Sequence, residues 1–381
     1  MKHYEGLKYL VVGSGFFGTV MAERIASVCN ERVVVIEKRS HIGGNSFSEI
    51  DSATGIECHK YGSHIFHTNN LKVWNYINRF TEFNPYQHKV LTEHNGHVYP
   101  MPIGLMTINS FFGLCLKPFE ADEFFHSEIA QAGITNPINL EEKAISLIGE
   151  RLYNAFIKGY TQKQWGREPR ELPPDIITRL PVRSSYNINY FNDPWQGIPL
   201  GGYHKLFERM LSHSNIEVQL NTDYFLIRDQ IPADCIVVFT GMVDQLFDYQ
   251  YGKLDWRGLH FEWETVQVSD YQGTAVMNYA DPEIPFTRIH EFKHYHPERI
   301  EAFSSLQSVI CREYPKTYQQ GEEAYYPVNN SENQQKYDLY AVEAAKHPNL
   351  ILGGRLGAYK YWDMDKAIEN ALLCFEKHFN N

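Results

Sequence analysis

The chain has 381 residues, 43% of them apolar, which is enough for more than one packed domain and too apolar for disorder. Its formal net charge of −11 disfavours general affinity for nucleic acid or an acidic membrane, and leaves room only for local basic sites. The six cysteines, Cys29, Cys58, Cys115, Cys235, Cys311 and Cys374, show no C-x-x-C spacing, so neither a metal cluster nor a redox pair is expected. Scattered reduced thiols suit a cytoplasmic protein. No run approaches the 18 apolar residues of a membrane span, and MKHYEGLKYLVVG lacks the apolar core of a secretion signal, so neither membrane insertion nor export is expected.

The first elements form a strand, a turn and a helix. KYLVV is a short β-branched run, and GSGFFG follows it with Gly13, Gly15 and Gly18 in G-x-G-x-x-G spacing. In a dinucleotide fold the first glycine makes the turn, the second admits a pyrophosphate and the third lets helix pack on strand. Met21, Ile25 and Val28 then recur at helical spacing. RVVVIE reads as a second strand ending in Glu37, where this fold sets a carboxylate on a ribose hydroxyl. KRSHIGGN comes next: Lys38, four residues, then Gly43-Gly44. A second glycine pair signals a second close approach of backbone to cofactor. Its pattern resembles the second fingerprint of the flavoprotein superfamily that contains amine oxidases, which points to FAD.

HKYGSHIFHT carries His59, His64 and His67, with no carboxylate or cysteine at standard spacing to complete a metal set. A histidine bonded to a cofactor ring is the better reading, with His59 structural. Residues 76–175 read as a mainly helical domain. Within it NLEEKAISLIGERLYNAFIKGYTQKQWG repeats apolar residues at helical spacing, with Asn139 as its cap. Gly159 and Gly166 bracket its aromatic end and are expected to let the following loop move. Arg167, Arg170, Arg179 and Arg183 cluster next, beside Phe156, Tyr160 and Trp165; arginine suits bidentate phosphate binding and flat rings suit a stacked base. A solvated charged loop beside core aromatics is the alternative for the same residues. CIVVFTG reads as a buried strand of the cofactor domain. LHFEWETVQV, TAVMNYA and FTRIHEFKHY alternate as antiparallel strands do. NLILGGRLGAYKYWDMD brings a last strand, Gly353-Gly354 and a helix from Met364 back to the cofactor.

The expected architecture is α/β. A Rossmann-like FAD-binding domain spans 1–75, 205–249 and 330–381. A helical domain is inserted at 76–175, and an antiparallel sheet domain for substrate spans 176–204 and 250–329.

GSGFFG, IEKRSHIGGN, KYGSHIFHT, IKGYTQKQWG, RLPVR, NYF, PFTRI, YYPVN and GGRLGAYKYWDMD occur in this order along nearly the whole chain. Together they resemble the bacterial UDP-galactopyranose mutases. The resemblance implies an isomerase that interconverts UDP-galactopyranose and UDP-galactofuranose for cell-surface polysaccharide. In that chemistry reduced FAD attacks the anomeric carbon through N5, forming a covalent adduct as UDP departs. Carried over by motif, Arg179 and Arg288 hold the pyrophosphate, and Tyr190, Tyr326 and Tyr361 donate to phosphate oxygens. Phe156 and Tyr160 cradle the uracil near Thr161 and Trp165. Asn84 and Asn278 are further substrate contacts. Phe17, Glu37, Lys38, Asn45, His64, Ile65, Arg355, Asp363 and Met364 match flavin contacts beside Gly13, Gly15, Gly18 and Gly44. His67 is placed between flavin ring and sugar. The resemblance also implies a homodimer and a reductant for the flavin, NAD(P)H or another. Some relatives accept N-acetylated galactose, so UDP-N-acetylgalactosamine is a second candidate substrate.

One stretch departs from the family's pattern: Met101-Pro102-Ile103-Gly104-Leu105 stands where L-P-F-N-M is usual. Two other readings of the fold remain: a flavin oxidase of the amine-oxidase superfamily, and a non-catalytic binding protein like the GDP-dissociation inhibitors.

Overall fold

Five parallel strands build the first sheet, in the order Leu350–Leu352, Ile236–Phe239, Tyr9–Val12, Val33–Ile36, Ile216–Gln219. The computed structural model describes residues 4–179 and 182–379, without the side chains of Thr178 and Arg179. Val33–Ile36 is buried along its whole length, as a parallel strand covered on both faces must be. Helix Phe16–Val28 lies against this sheet and helix Met364–Phe379 packs on it, joining Val20 and Ile25 to Ile368 and Leu372 in the main core. The C-terminal return predicted from NLILGGRLGAYKYWDMD is therefore present, and the strand of CIVVFTG lies inside the sheet, between Leu350–Leu352 and Tyr9–Val12.

The second sheet has seven strands: Tyr326–Pro327, Trp256–Val266, Ser308–Thr317, Arg288–Glu291, Val276–Tyr279, Val90–His94, His97–Met101. It is antiparallel except where Val276–Tyr279 runs parallel to Val90–His94. That last hairpin lies within the stretch 76–175 expected to be mainly helical, and it joins the sheet instead of the helices around it. Val90–His94 and His97–Met101 turn through Asn95 and Gly96, both with positive φ, at 51° and 73°. An Asn-Gly pair is the commonest two-residue hairpin turn because both positions need the left-handed conformation.

The rest of that region is helical: Leu105–Phe112, Pro118–Ala130 and Leu140–Ile148. Asn139 caps the last of these, its side chain accepting from the Glu142 N–H. The helix does not run on unbroken to Trp165, because Gly149 has φ 79°. A second helix starts there and passes through Glu150–Leu152, a π-helical turn at Tyr153–Lys158, and Gly159–Trp165. Such turns concentrate at functional sites, and this one contains Phe156. No helix of the described residues is long and apolar enough to cross a membrane.

Candidate active site

The glycine loops meet each other. Gly15 caps helix Phe16–Val28 in extended conformation, and a Cβ built on it would touch nothing within 4 Å. Gly44 lies across from it, where a Cβ would stand 3.1 Å from the Gly15 Cα. Gly43 and Gly44 both have positive φ, at 96° and 55°, so bare backbone turns twice beside the free N–H groups of a helix start. That is an anion cradle. Glu37 closes one side: one oxygen accepts from the Ser14 N–H at 3.0 Å and hydroxyl at 2.8 Å, the other from the Arg39 N–H at 3.0 Å. Phe17 is buried under Gly353, where a Cβ would overlap its ring, so it locks the first loop to the returning strand.

Arg39, absent from the sequence expectations, donates to Asn45 Oδ1 at 2.8 Å, pairs with Glu323 and covers the Tyr61 ring at 4.4 Å. Lys38 is half-exposed and also pairs with Glu323, at 3.1 Å. The Arg355 guanidinium donates to the Trp362 and Tyr325 carbonyls and lies over Tyr326 and Tyr361, which stack at 5.2 Å. Asp363 and Met364 begin the C-terminal helix beside it.

Two of the three histidines of HKYGSHIFHT bond each other through the loop backbone, and the third is held apart. His59 Nδ1 accepts the His64 N–H at 3.1 Å, so its proton sits on Nε2. His64 donates from Nδ1 to the Gly62 carbonyl at 2.8 Å; burial holds its pKa down to about 4, and Arg355 adds to this. His64 is therefore neutral, with Nε2 an acceptor. His67 bonds Asp193 through Nδ1 at 2.6 Å and stacks on Phe191 at 3.6 Å. Ile65 is buried between the last two. A separate buried group, Glu57, His59 and His296, brings possible metal ligands together. The His59 tautomer leaves no lone pair at Nε2, and Arg299 already holds Glu57, so this is a charge network.

The second sheet contributes a row of paired residues: Thr92, Asn278, Arg288, Glu313, Phe261. Directly paired residues share a face. Arg288 Nε lies 3.4 Å from Glu313, and its terminal nitrogen bonds the Tyr160 hydroxyl. Burial opposes both charges, yet each supports the other: Arg288 is held above its ordinary pKa and Glu313 below. Glu313 also meets His290 at 3.1 Å, and His290 reaches Ser63, which bonds Tyr295. Gly62 packs on Glu313 and Phe261. The row thus abuts the histidine loop of the cofactor domain. Burial raises the Tyr160, Tyr190 and Tyr326 phenols, Tyr160 to about 12, so all three stay donors near the Arg288 charge. Asn278 Oδ1 is buried without a hydrogen-bond partner among the described residues, while Arg288 Nε and Glu313 Oε1 face each other as an ion pair too long and bent for a hydrogen bond. A free amide oxygen beside a loosely held guanidinium fits a polar ligand.

Phe156 is buried against Tyr99, Phe111 and His94. Thr161 is buried and Trp165 half-buried on the same helix. Gly159 and Gly166, expected to let the following loop move, have defined places in the structure. A Cβ at Gly159 would overlap the Ala280 carbonyl, so this glycine serves tight packing. Gly166 is a left-handed helix cap whose N–H donates to the Gln162 carbonyl at 2.8 Å.

The arginine cluster of the sequence disperses. Arg170 pairs with Glu141 at 2.6 Å, and Arg167 lies 4.0 Å from Asp255. Arg183 donates to the Asn187 and Asn189 carbonyls and to Asn192, folding the loop that carries Tyr190 and Asp193. The Arg179 side chain lies outside the described residues. Asn84 is also corrected. It donates to the Tyr295 carbonyl and Glu298 at 2.9 Å each, and accepts from Tyr86 and Ile198 N–H, so its amide is spent as a brace. The unusual Met101–Leu105 stretch ties down the far end of the arginine segment: the Arg183 N–H donates to the Ile103 carbonyl at 3.0 Å and the Leu105 N–H to the Ser185 carbonyl at 3.1 Å.

Sequence logic missed Glu313, His290, Ser63 and Asp193. Each is a common residue type without a spacing motif, joined to its partner only by the fold.

Comparison with known proteins fits this geometry. Residues 11–80 match the NAD(P)-binding Rossmann-like domain, and residues 155–361 match the UDP-galactopyranose mutase family. The dTDP-fucopyranose mutase of Escherichia coli is 38% identical over 98% of this chain and 99% of its own. A probable UDP-galactopyranose mutase of Klebsiella pneumoniae is 41% identical over 95% and 92%. The crystal structure of a reduced UDP-galactopyranose mutase superposes with TM-score 0.75 at 14% identity, covering 98% of this chain and 96% of that one. The glycine cradle, Glu37 and Arg355 suit FAD, and the chain belongs to the UDP-galactopyranose mutase family of FAD-dependent isomerases.

Proposed function

We propose that this chain interconverts UDP-galactopyranose and UDP-galactofuranose. The observation that carries the reading is the Asn278–Arg288–Glu313 row lying against the Gly62–His64 loop of the cofactor domain. This supports a reading in which Arg288 is a diphosphate-binding cation beside the flavin. Bound reduced FAD supplies the nucleophile for the anomeric carbon. Arg288, with Arg179 from the neighbouring segment, stabilises the departing diphosphate, and Tyr190, Tyr326 and Tyr361 donate to its oxygens. Phe156 and Tyr160 hold the base, with Thr161 and Trp165 next to them. Asn278 Oδ1 accepts from a sugar hydroxyl. Asp193 bonds His67 Nδ1 and orients the ring, so that Nε2 is left to face the sugar. Gly13, Gly15, Gly18 and Gly44 receive the FAD pyrophosphate and Glu37 its ribose. A cytoplasmic homodimer reduced by NAD(P)H is the assembly we expect, checked by light scattering and by anaerobic flavin bleaching.

A second substrate is favoured by one observation: the dTDP-fucopyranose mutase covers this chain end to end at 38% identity, close to the 41% of the Klebsiella relative. Both sugars differ only at C6, and both nucleotides carry a pyrimidine. The test incubates dithionite-reduced protein with UDP-galactose, dTDP-fucose and UDP-N-acetylgalactosamine separately and resolves furanose products by chromatography. Turnover of UDP-galactose with the highest kcat/KM supports the proposal. A larger value for dTDP-fucose overturns it in favour of the second reading.

A further inference from the structure

Lys163 sits just after Tyr160 and Thr161 on the aromatic helix, and its ammonium is spent entirely on backbone. The three N–H groups of Nζ serve four carbonyls, those of Tyr279 at 2.7 Å, Asp281 at 2.8 Å, Ile284 at 3.0 Å and Phe286 at 3.2 Å, so one donor is shared. These four belong to the turn that joins strand Val276–Tyr279 to strand Arg288–Glu291. Asn278 immediately precedes Tyr279, and Arg288 follows Phe286 after Thr287. One cation therefore grips both ends of the turn whose strands supply the two ligand-facing residues of the row.

Other contacts converge on the same joint. Gly159 lets the helix approach the Ala280 carbonyl without a side chain between them. Arg257 caps the helix end, donating to the Gln164 carbonyl at 3.1 Å and the Lys163 carbonyl at 3.4 Å. Asp281 holds the adjacent hairpin through His94 and the Asn95 N–H. Burial lowers the Lys163 pKa to about 8, against the pull of Asp281, Glu283 and Glu93. A desolvated ammonium is a costly way to fasten a turn. An apolar residue would pack there at less cost but would fix no register.

We propose that Lys163 is a positioning residue that sets the distance between the base-holding aromatics, Phe156 and Tyr160, and the diphosphate–sugar row, Asn278 and Arg288. The proposal rests on the functional reading above. A ligand that spans both halves feels this distance; a ligand that touches one half does not. UDP spans them, and uridine touches only the base side.

The test uses flavin-loaded Lys163→Met, matched in length but without donors, and Lys163→Gln, which keeps two N–H groups. UDP and uridine affinities are measured by calorimetry or ligand-observed NMR, alongside FAD content and melting temperature. In Lys163→Met, UDP affinity is expected to fall about 10²-fold, the scale of a 1 Å misplacement, while uridine affinity changes less than about threefold. Lys163→Gln is expected to fall between Met and the wild type, and decides alone should the Met variant lose its flavin. Equal losses for UDP and uridine, or no loss for either, overturn the proposal. A wild type that binds UDP but converts no nucleotide sugar sinks the functional reading and leaves the affinity comparison to decide Lys163.

Discussion

Glu313 and Arg288 stand opposite each other on neighbouring strands, the carboxylate buried and the guanidinium Nε 3.4 Å away. Each charge offsets the cost of burying the other. Glu313→Gln removes the negative partner and leaves the cation poorly compensated. Breaking a buried pair from one side costs about 3–5 kcal/mol, and the partial exposure of Arg288 puts this case at the lower end. The same substitution frees Arg288 for phosphate. We expect urea melts to show the loss while UDP binds as tightly as before or more tightly. Weaker UDP binding at unchanged stability would instead mean that Glu313 itself touches the nucleotide.

The arginines separate by role. Arg288→Ala should cost about 10²–10³-fold in turnover with flavin content normal, the range for losing a main charge-stabilising donor. Arg170→Ala, which loses only an exposed pair with Glu141, should leave turnover and melting unchanged. Arg183→Ala should destabilise by about 1.5–3 kcal/mol through lost charged hydrogen bonds in the Tyr190 loop. Steady-state kinetics and melts on the three proteins distinguish the roles; equal kinetic damage from Arg170 and Arg288 would restore the idea of one phosphate-binding cluster.

Gly15 and Gly18 should fail differently. A Cβ at Gly15 meets no protein atom, so Gly15→Ala is expected to fold with near-normal melting and to lose FAD. A Cβ at Gly18 overlaps the Gly13 carbonyl, which is backbone, so Gly18→Ala should lower the melting temperature even in flavin-depleted protein. Absorbance near 450 nm per protein, read with thermal melts, checks both. A Gly15→Ala protein that keeps its full yellow colour would place the pyrophosphate elsewhere.

Acid should act in two stages. Burial holds His64 at about 4 and His88 at about 3, below an ordinary 6.5. The unfolded chain therefore binds protons first, and stability is lost as pH falls from 6.5 through about 4. Each such histidine contributes a slope of about 1.4 kcal/mol per pH unit. Burial would raise Glu57, but His296 and Ser48 hold it down to about 2, so its contribution is intact above 4.5 and is lost only below that. His88→Asn should flatten the limb between pH 6.5 and 4 and spare the lower one. Denaturant melts from pH 7.5 to 2.5 test this; an unchanged slope above pH 4 would mean that His88 is protonated in the fold.

What the sequence revealed follows from what leaves a local trace. Gly13, Gly15, Gly43 and Gly44 were legible because a missing Cβ is the only way to bring backbone that close to backbone or phosphate. The strand into Glu37 and the return through Gly353 carried apolar runs of strand length. Asn95-Gly96 left an equally local signal, but the helical spacing at 139–166 set the reading of the whole stretch 76–175, so the hairpin went unrecognised. Lys163, Asp193, His290 and Glu313 left none. Their partners lie far along the chain, and a single lysine or glutamate on an amphipathic element reads as solvent-facing until the fold buries it. The four arginines show the converse: nearness in sequence suggested one site, and the backbone turns carried the described ones to separate partners.

The strand order of the cofactor sheet has a consequence for how the protein is made. Tyr9–Val12 emerges from the ribosome early, yet its neighbour on one side is Ile236–Phe239, whose own outer neighbour is Leu350–Leu352. Helix Phe16–Val28 waits equally long for Met364–Phe379 to cover it. Pairings of such high sequence separation form slowly and leave apolar strand edges exposed meanwhile. The glycine cradle therefore has no finished walls during most of translation, and flavin loading belongs to the end of synthesis. Chains shortened before residue 350 should collect as colourless aggregate, and the nascent protein is a natural client for a chaperone that shields sheet edges.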